Sequence, residues 1–483
     1  MNTNNKNKSI IPYIVAAVCA IAYISLMNNE NVWLDEAFTA TLVHTDLAGV
    51  LSRSASDTLP PMYNIILWAM TSLFGYKVAV MKLTSVIPML FVLVLGVTVV
   101  RRRFGDIISS LFAICVTGMP LMLFFGMEIR MYSMGFWFAT ASGIFAYEYL
   151  RDSGVKNFAL FVLSSVLAGY THHFAFVTVG FVFLFLLIYY IIADRAHIKR
   201  WFTAVGATLV LYIPCLIVTI RQIKSVNGYF SMPEVTLKVF LKYIVYPYVV
   251  GFTPATLVLM ALVAALLLML LLRAVRDRKL SGEEYYALAC FFTFYGVLVF
   301  GSVVSKIMTA NIFVDRYLFF ATGLLWLGVA ILAENAAKDL KEHGIFAYIA
   351  IFAVTIFAFI FSYRNQFRLE YGNSALEEKA YLSEEVSEGD VLYTIEDNYE
   401  LAYCLPFYVI LTHDNEDLTH YGNISTALDV CEEADSVMWI AVSGGKSIPQ
   451  EVIVQLDERG FDITKEMDMD FDRYKCELYK AEK

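Results

Sequence analysis

The chain has 483 residues, of which 59% are hydrophobic and only 17% charged, where a soluble domain carries about 25% charged residues. Apolar runs of the ~20 residues needed to cross a bilayer core of ~30 Å recur from Ile10 to Phe361. This excludes a soluble enzyme and defines an α-helical polytopic membrane protein. The net charge of −9 divides unevenly. Residues 363–483 hold 10 basic and 27 acidic side chains, a net −17, and the rest of the chain holds 26 basic and 18 acidic, a net +8. A basic-looped membrane domain, 1–362, therefore precedes an acidic, water-soluble domain, 363–483. The sign of the latter excludes nucleic acid as a partner, because it repels phosphates.

Lys6 and Lys8 precede the first apolar run, 10–27, which lacks a small-x-small cleavage site and leads straight into Trp33–Glu36. It reads as an uncleaved anchor. Short loops rich in Lys and Arg stay in the cytoplasm, and here these are the N-terminus, 101–103, 151–156, 194–200, 273–279 and 338–343. Placing all of them on one side requires eleven spans: 10–27, 77–100, 107–125, 134–150, 157–170, 174–192, 202–220, 255–272, 286–304, 316–333 and 345–362. The odd number puts the N-terminus in the cytoplasm and the acidic domain outside the plasma (cytoplasmic) membrane. Residues 61–74 are apolar but too short to span. With proline in the first turn they predict an interfacial or re-entrant helix. They lie in a long first outer loop, 28–76, where 35–51 has the spacing of another helix. The same topology places 126–133, 170–174, 221–254 and 305–315 outside.

In the acidic domain, 390–395 and 436–442 are β-rich, 401–411 suits a helix or a strand, 451–459 reads as a helix and 474–479 as a last strand, which together predict a small α/β domain. Ser443-Gly-Gly-Lys446 lacks the spacing of a phosphate loop and reads as a turn after a strand. The cysteines show neither a disulfide pattern nor metal-type spacing.

The candidate chemistry lies on the outer side. Asp35 and Glu36 sit among Trp33, Leu34, Ala37 and Phe38, where partial desolvation favours a general base over a solvated surface pair. Arg130, beside Glu128 and Tyr132, either snorkels or clamps a lipid phosphate through its planar fork. His172 and His173 occupy the turn of a helical hairpin, suited to hydrogen bonding with a phosphate or sugar hydroxyl. Arg316 opens the tenth span, where ionisable groups face a cavity or a partner. Lys82, near the outer end of the second span, is a third candidate for phosphate. Asp35, Glu36 and Glu128 are also carboxylates able to take a divalent cation. No cofactor is assigned.

Taken in order, Trp33-x-Asp35-Glu36, Asp57-Thr-Leu-Pro60-Pro61-Met-Tyr63, Lys82-Leu83-Thr-Ser85, Glu128-x-Arg130-Met-Tyr132-Ser, Tyr170-Thr-His172-His173-Phe and Arg316-Tyr317-Leu318 resemble the bacterial polytopic glycosyltransferases of the GT-C superfamily. Among these are the relatives of protein O-mannosyltransferases and of the lipid A aminoarabinose transferase. The resemblance covers residues 1–335. It implies a GT-C-type fold of about eleven transmembrane helices and an inverting transfer of sugar from a polyprenyl-phosphate-linked donor on the outer face of the membrane. It also implies Asp35 as the base or acceptor-orienting group, Arg130, Arg316 and Lys82 on the donor phosphate, and His172 lining the same cavity, with Tyr63 in the matching Pro-Pro segment. Two positions depart from the pattern. Leu59 stands where the family commonly has His before Pro-Pro, and Lys82-Leu83-Thr84 stands where it tends to have Arg-Leu-Pro. The acceptor, whether glycan, lipid or protein, is not specified. A transporter or flippase, or a ligase handling lipid-linked glycans, is the competing reading, but charges at the outer boundary and the lack of repeated halves count against a transporter.

Overall fold

A computed structural model of the protein describes residues 9–483 except 30, 230, 231, 233, 278, 279, 309, 310, 373–375, 388, 396–398, 414–418, 422, 472 and 473. It is mostly helical, with a small C-terminal sheet. Each of the eleven expected spans coincides with a helix. Seven of these, Val78–Phe104, His173–Ile192, Arg195–Gln222, Thr253–Arg276, Gly282–Ile307, Asp315–Asp339 and Lys341–Tyr371, are long and apolar enough to cross a membrane. Ile11–Leu26, Asp106–Gly118 and Val155–Thr171 are shorter apolar helices, and Tyr132–Arg151 has 20 residues. The short segment after the two prolines is a 13-residue helix, Met62–Phe74.

Two segments differ from the sequence expectation. The third span ends early, at Gly118, and restarts as Met122–Met127. Pro120 has no N–H to give the Val116 carbonyl four residues back, and the Tyr23 hydroxyl, 3.1 Å from that oxygen and 3.2 Å from the Met122 carbonyl, takes the place of the missing donor. Residues 35–51 form two helices, Leu34–Val43 and Leu47–Ser56. The break falls where the Asp46 carboxylate accepts the Gly49 N–H at 2.7 Å and starts the second helix.

The chain folds into two compact units. One, the bundle, comprises Met1–Met27, Leu51–Ile66 and Leu83–Gln366. Its basic loops are tied down by ion pairs. Arg102 and Arg103 both reach Glu148, at 2.9 and 2.6 Å, and Arg273 reaches Glu284 at 3.0 Å. The other unit comprises Asn28–Val50, Leu67–Lys82 and Phe367–Lys483, so much of the first outer loop groups with the C-terminal residues rather than with its neighbours in sequence.

The second unit contains a five-stranded sheet of β1 (Val391–Thr394), β2 (Thr419–Tyr421), β3 (Met438–Ser443), β4 (Asp462–Phe471) and β5 (Tyr474–Glu482), in the order β2-β1-β3-β5-β4. β1 runs parallel to β2 and β3, whereas β5 is antiparallel to β3 and β4. β1 and β3 are buried along their whole length, as parallel strands covered on both faces are. The ambiguous stretch 401–411 is helical, within Tyr399–His413. Sequence reading missed β2 and β4. β4 is a charged edge strand with a bulge at Lys465/Met467, a device that protects an open edge and hides the apolar alternation.

Candidate functional site

In the bundle, the predicted residues Glu128, Arg130, Tyr132, His172 and Arg316 come together. Glu128, Tyr132 and His172 are buried, and Arg130 and Arg316 are half-buried. Both arginines lie within electrostatic reach of Tyr132 and of His172. His172 caps the His173–Ile192 helix, its Nδ1 accepting the Phe174 N–H at 3.0 Å, and its ring lies 4.8 Å from Tyr317 and 4.5 Å from Phe320. With Nδ1 accepting, the proton sits on Nε2. That nitrogen is buried and has no hydrogen-bond partner among the described residues. The Tyr132 hydroxyl is in the same position. Buried polar atoms of this kind are costly unless something supplies the partner.

Tyr63 and His173 stand at the margin of this group. The Tyr63 hydroxyl meets Ser85 Oγ at 2.8 Å, and Ser85 donates to the Glu128 carbonyl at 2.5 Å. Ser85 thus fixes the Glu128–Arg130 turn, a role that a focus on Lys82 in the same motif overlooks. His173 faces Thr58 and Gln222, and Gln222 in turn donates to the Leu59 carbonyl at 2.7 Å. Sequence reasoning also missed Tyr246. It is buried, its hydroxyl has no partner among the described residues, and it lies within electrostatic reach of Asp315, Tyr132, Glu128 and Arg316. Its only signal was the tyrosine-rich run from Tyr243 to Tyr248 in a segment expected outside.

The remaining predicted residues belong to the other unit. Asp35 and Glu36 sit in the first turn of Leu34–Val43, where the helix dipole favours negative charge. Glu36 is buried and accepts the Trp33 N–H at 3.2 Å, closing the helix start. Asp35 is half-buried. Lys82 is fully buried and paired with Glu370 at 3.0 Å, with a further short bond to the Asn29 side chain. Among the described residues, no group of three His, Cys, Asp or Glu is placed to hold a metal ion.

Fold and site together define a polytopic helical membrane protein with a small C-terminal α/β domain and a buried polar cluster in its bundle. No family model and no curated protein matches the sequence. Among solved structures, the fold is that of ArnT from Cupriavidus metallidurans in the apo state, with a TM-score of 0.65 at 12% identity over 97% of each chain. The structure of the same protein bound to undecaprenyl phosphate matches with a TM-score of 0.64, again at 12% identity over 97% of each chain.

Proposed function

We propose that the protein is an inverting glycosyltransferase that moves a sugar from a polyprenyl-phosphate carrier to an acceptor at the outer face of the membrane. The observation that carries the reading is the fold shared, over nearly the whole of both chains, with a protein whose structure contains undecaprenyl phosphate. The bundle cluster supports it. Arg130 and Arg316 are suited to hold phosphate oxygens, because the guanidinium fork matches them. The Tyr132 and Tyr246 hydroxyls and the His172 Nε2–H are buried donors that lack protein partners among the described residues.

In the proposed step the acceptor hydroxyl attacks the anomeric carbon from the face opposite the phosphate. Its proton passes to the Asp35 carboxylate, the new C–O bond forms, and the bond from the anomeric carbon to the phosphate oxygen breaks. The electron pair leaves on polyprenyl phosphate. Because that leaving group is already a stable anion, no strong acid is needed, and the arginines stabilise the charge gathering on it. Glu36 is assigned to the helix cap and Lys82 to its ion pair with Glu370.

The test uses purified full-length protein, a set of undecaprenyl-phosphate-linked sugars (mannose, glucose and aminoarabinose) and a membrane extract as acceptor, with release of undecaprenyl phosphate as the readout. Wild type should release it from at least one donor, and Asp35→Asn should be at least ~100-fold slower, the lower range for loss of a positioned base. Equal rates in a well-folded Asp35→Asn protein would remove Asp35 from the mechanism. No release from any donor would refute the reading. EDTA treatment of the active protein tests the divalent-cation requirement.

A further inference from the structure

The structure assigns to Tyr408, in the C-terminal domain, the part of a positioning residue for Asp35. This rests on the functional reading above and deepens it, since the α/β domain becomes part of the catalytic apparatus rather than a cover or an acceptor selector.

The stretch leading into the Leu34–Val43 helix is pinned at three places within its own unit. Asn29 bonds Lys82, the Asn31 side chain donates to the Glu370 carbonyl at 3.2 Å, and the Val32 N–H donates to the Tyr408 hydroxyl at 3.0 Å. The same hydroxyl lies 3.4 Å from the Val32 carbonyl, so one phenol engages both backbone groups of one buried residue. Val32 immediately precedes the N-cap Trp33, and Asp35 follows three positions after Val32. Where Val32 sits therefore sets where the first helical turn, and with it Asp35, begins.

Tyr408 is itself held rigidly. It is fully buried on the Tyr399–His413 helix, its ring stacks on Phe471 of β4 at 4.9 Å and 15°, and the Lys379 ammonium lies 5.1 Å from the ring centroid. The Tyr399–His413 helix also packs along Leu34–Val43, with Phe38 edge-on to Tyr403 at 5.4 Å. A rigid aromatic ring thus carries the geometry of the sheet to the start of the helix that bears the base. A positioned group needs such support, since small displacements of a catalytic residue are expensive in rate.

Tyr408→Phe removes the hydroxyl and keeps the stacked ring, leaving the Val32 N–H buried without its partner. In the transfer assay kcat should fall about ten-fold, while KM for the donor that wild type uses stays within about two-fold. Hydrogen exchange should quicken at residues 31–36 and stay unchanged in β3. Phe471→Leu, which loosens the ring and keeps the hydroxyl, should lower kcat about two- to three-fold and serves if Tyr408→Phe does not accumulate. Wild-type kcat in either variant, or exchange that quickens equally in β3, overturns the inference. Asp35→Asn run alongside separates the two claims. If it is inactive while Tyr408→Phe matches wild type, the positioning role alone fails. If it is as active as wild type, Asp35 is not the base and the inference fails with that assignment, whereas the functional reading itself fails only if wild type releases undecaprenyl phosphate from no donor.

Discussion

Each unit holds a buried polar cluster, and the two clusters are built in opposite ways. In the unit built from the first outer loop and the C-terminal domain, Lys82 is paired with Glu370 and Glu36 closes a helix start. These charges complete the fold. In the bundle, arginines gather with phenols and an imidazole whose Tyr132, Tyr246 and His172 polar atoms lack partners among the described residues. Polar residues from predicted outer motifs therefore have protein partners in one region, and in the other leave buried atoms without partners among the described residues. Proximity to a motif does not distinguish the two roles, whereas the partner each group has found does.

The largest contrast should come from replacing one cation in each unit. Arg316→Met should leave thermal unfolding close to wild type and lower transfer about 10²- to 10³-fold, the scale of losing one preorganised charge stabiliser. Lys82→Met should do the reverse. It strands the Glu370 carboxylate in a buried position and should cost about 3–5 kcal/mol of stability, most of which Lys82→Met combined with Glu370→Leu should restore. Unfolding curves and initial rates measured on the same preparations check both. If Lys82→Met instead raises donor KM without lowering stability, Lys82 rejoins the phosphate group and the contrast breaks. Within the bundle, Tyr246→Phe removes a hydroxyl and little volume. It should lower kcat/KM about 10- to 100-fold, as a hydrogen bond to a charged oxygen is worth about 1.5–3 kcal/mol, and a wild-type value would leave Tyr246 a packing residue.

Much of the bundle was legible in the sequence because a membrane imposes a length and a hydropathy on each span, and all eleven expected segments are helices. The ends were harder to read. Pro120 marks the break after Gly118, but nothing local shows that Tyr23, almost a hundred residues earlier, supplies the missing hydrogen bond. Glu128, Arg130, His172 and Arg316 could be found because charges are rare at the edges of spans. Tyr246 could not, because tyrosine is common there. The grouping of Asn28–Val50 with the C-terminal domain was invisible as well. It depends on contacts such as Val32 with Tyr408, 376 positions apart, and no local pattern encodes a partner at that separation.

The smallest predicted effect concerns pH, and it separates the sheet from the bundle. Lys483 and Arg459 hold the Glu432 carboxyl below its usual range, and Tyr479 and Lys465 do the same for Glu477. A depressed carboxylate pKa stabilises the fold above the unfolded value of about 4.3, and this contribution is lost as pH falls through the lower folded value. A second effect runs the other way. The domain carries a net −17, so protonating its ordinary carboxylates first relieves repulsion. Paired groups titrate last, which puts the loss at the acid end of the range. Protection of β3 and β5 amides in the intact protein, measured as exchange relative to the intrinsic rate at each pH, should therefore change little from pH 7 to about pH 4.5 and then fall toward pH 3. Glu432→Gln should exchange slightly faster than wild type at pH 7, with the difference closing at pH 3, because the general repulsion is nearly the same in both proteins and only the pair with Lys483 and Arg459 differs. A difference that persists at pH 3 would mean that Glu432 acts through packing rather than charge.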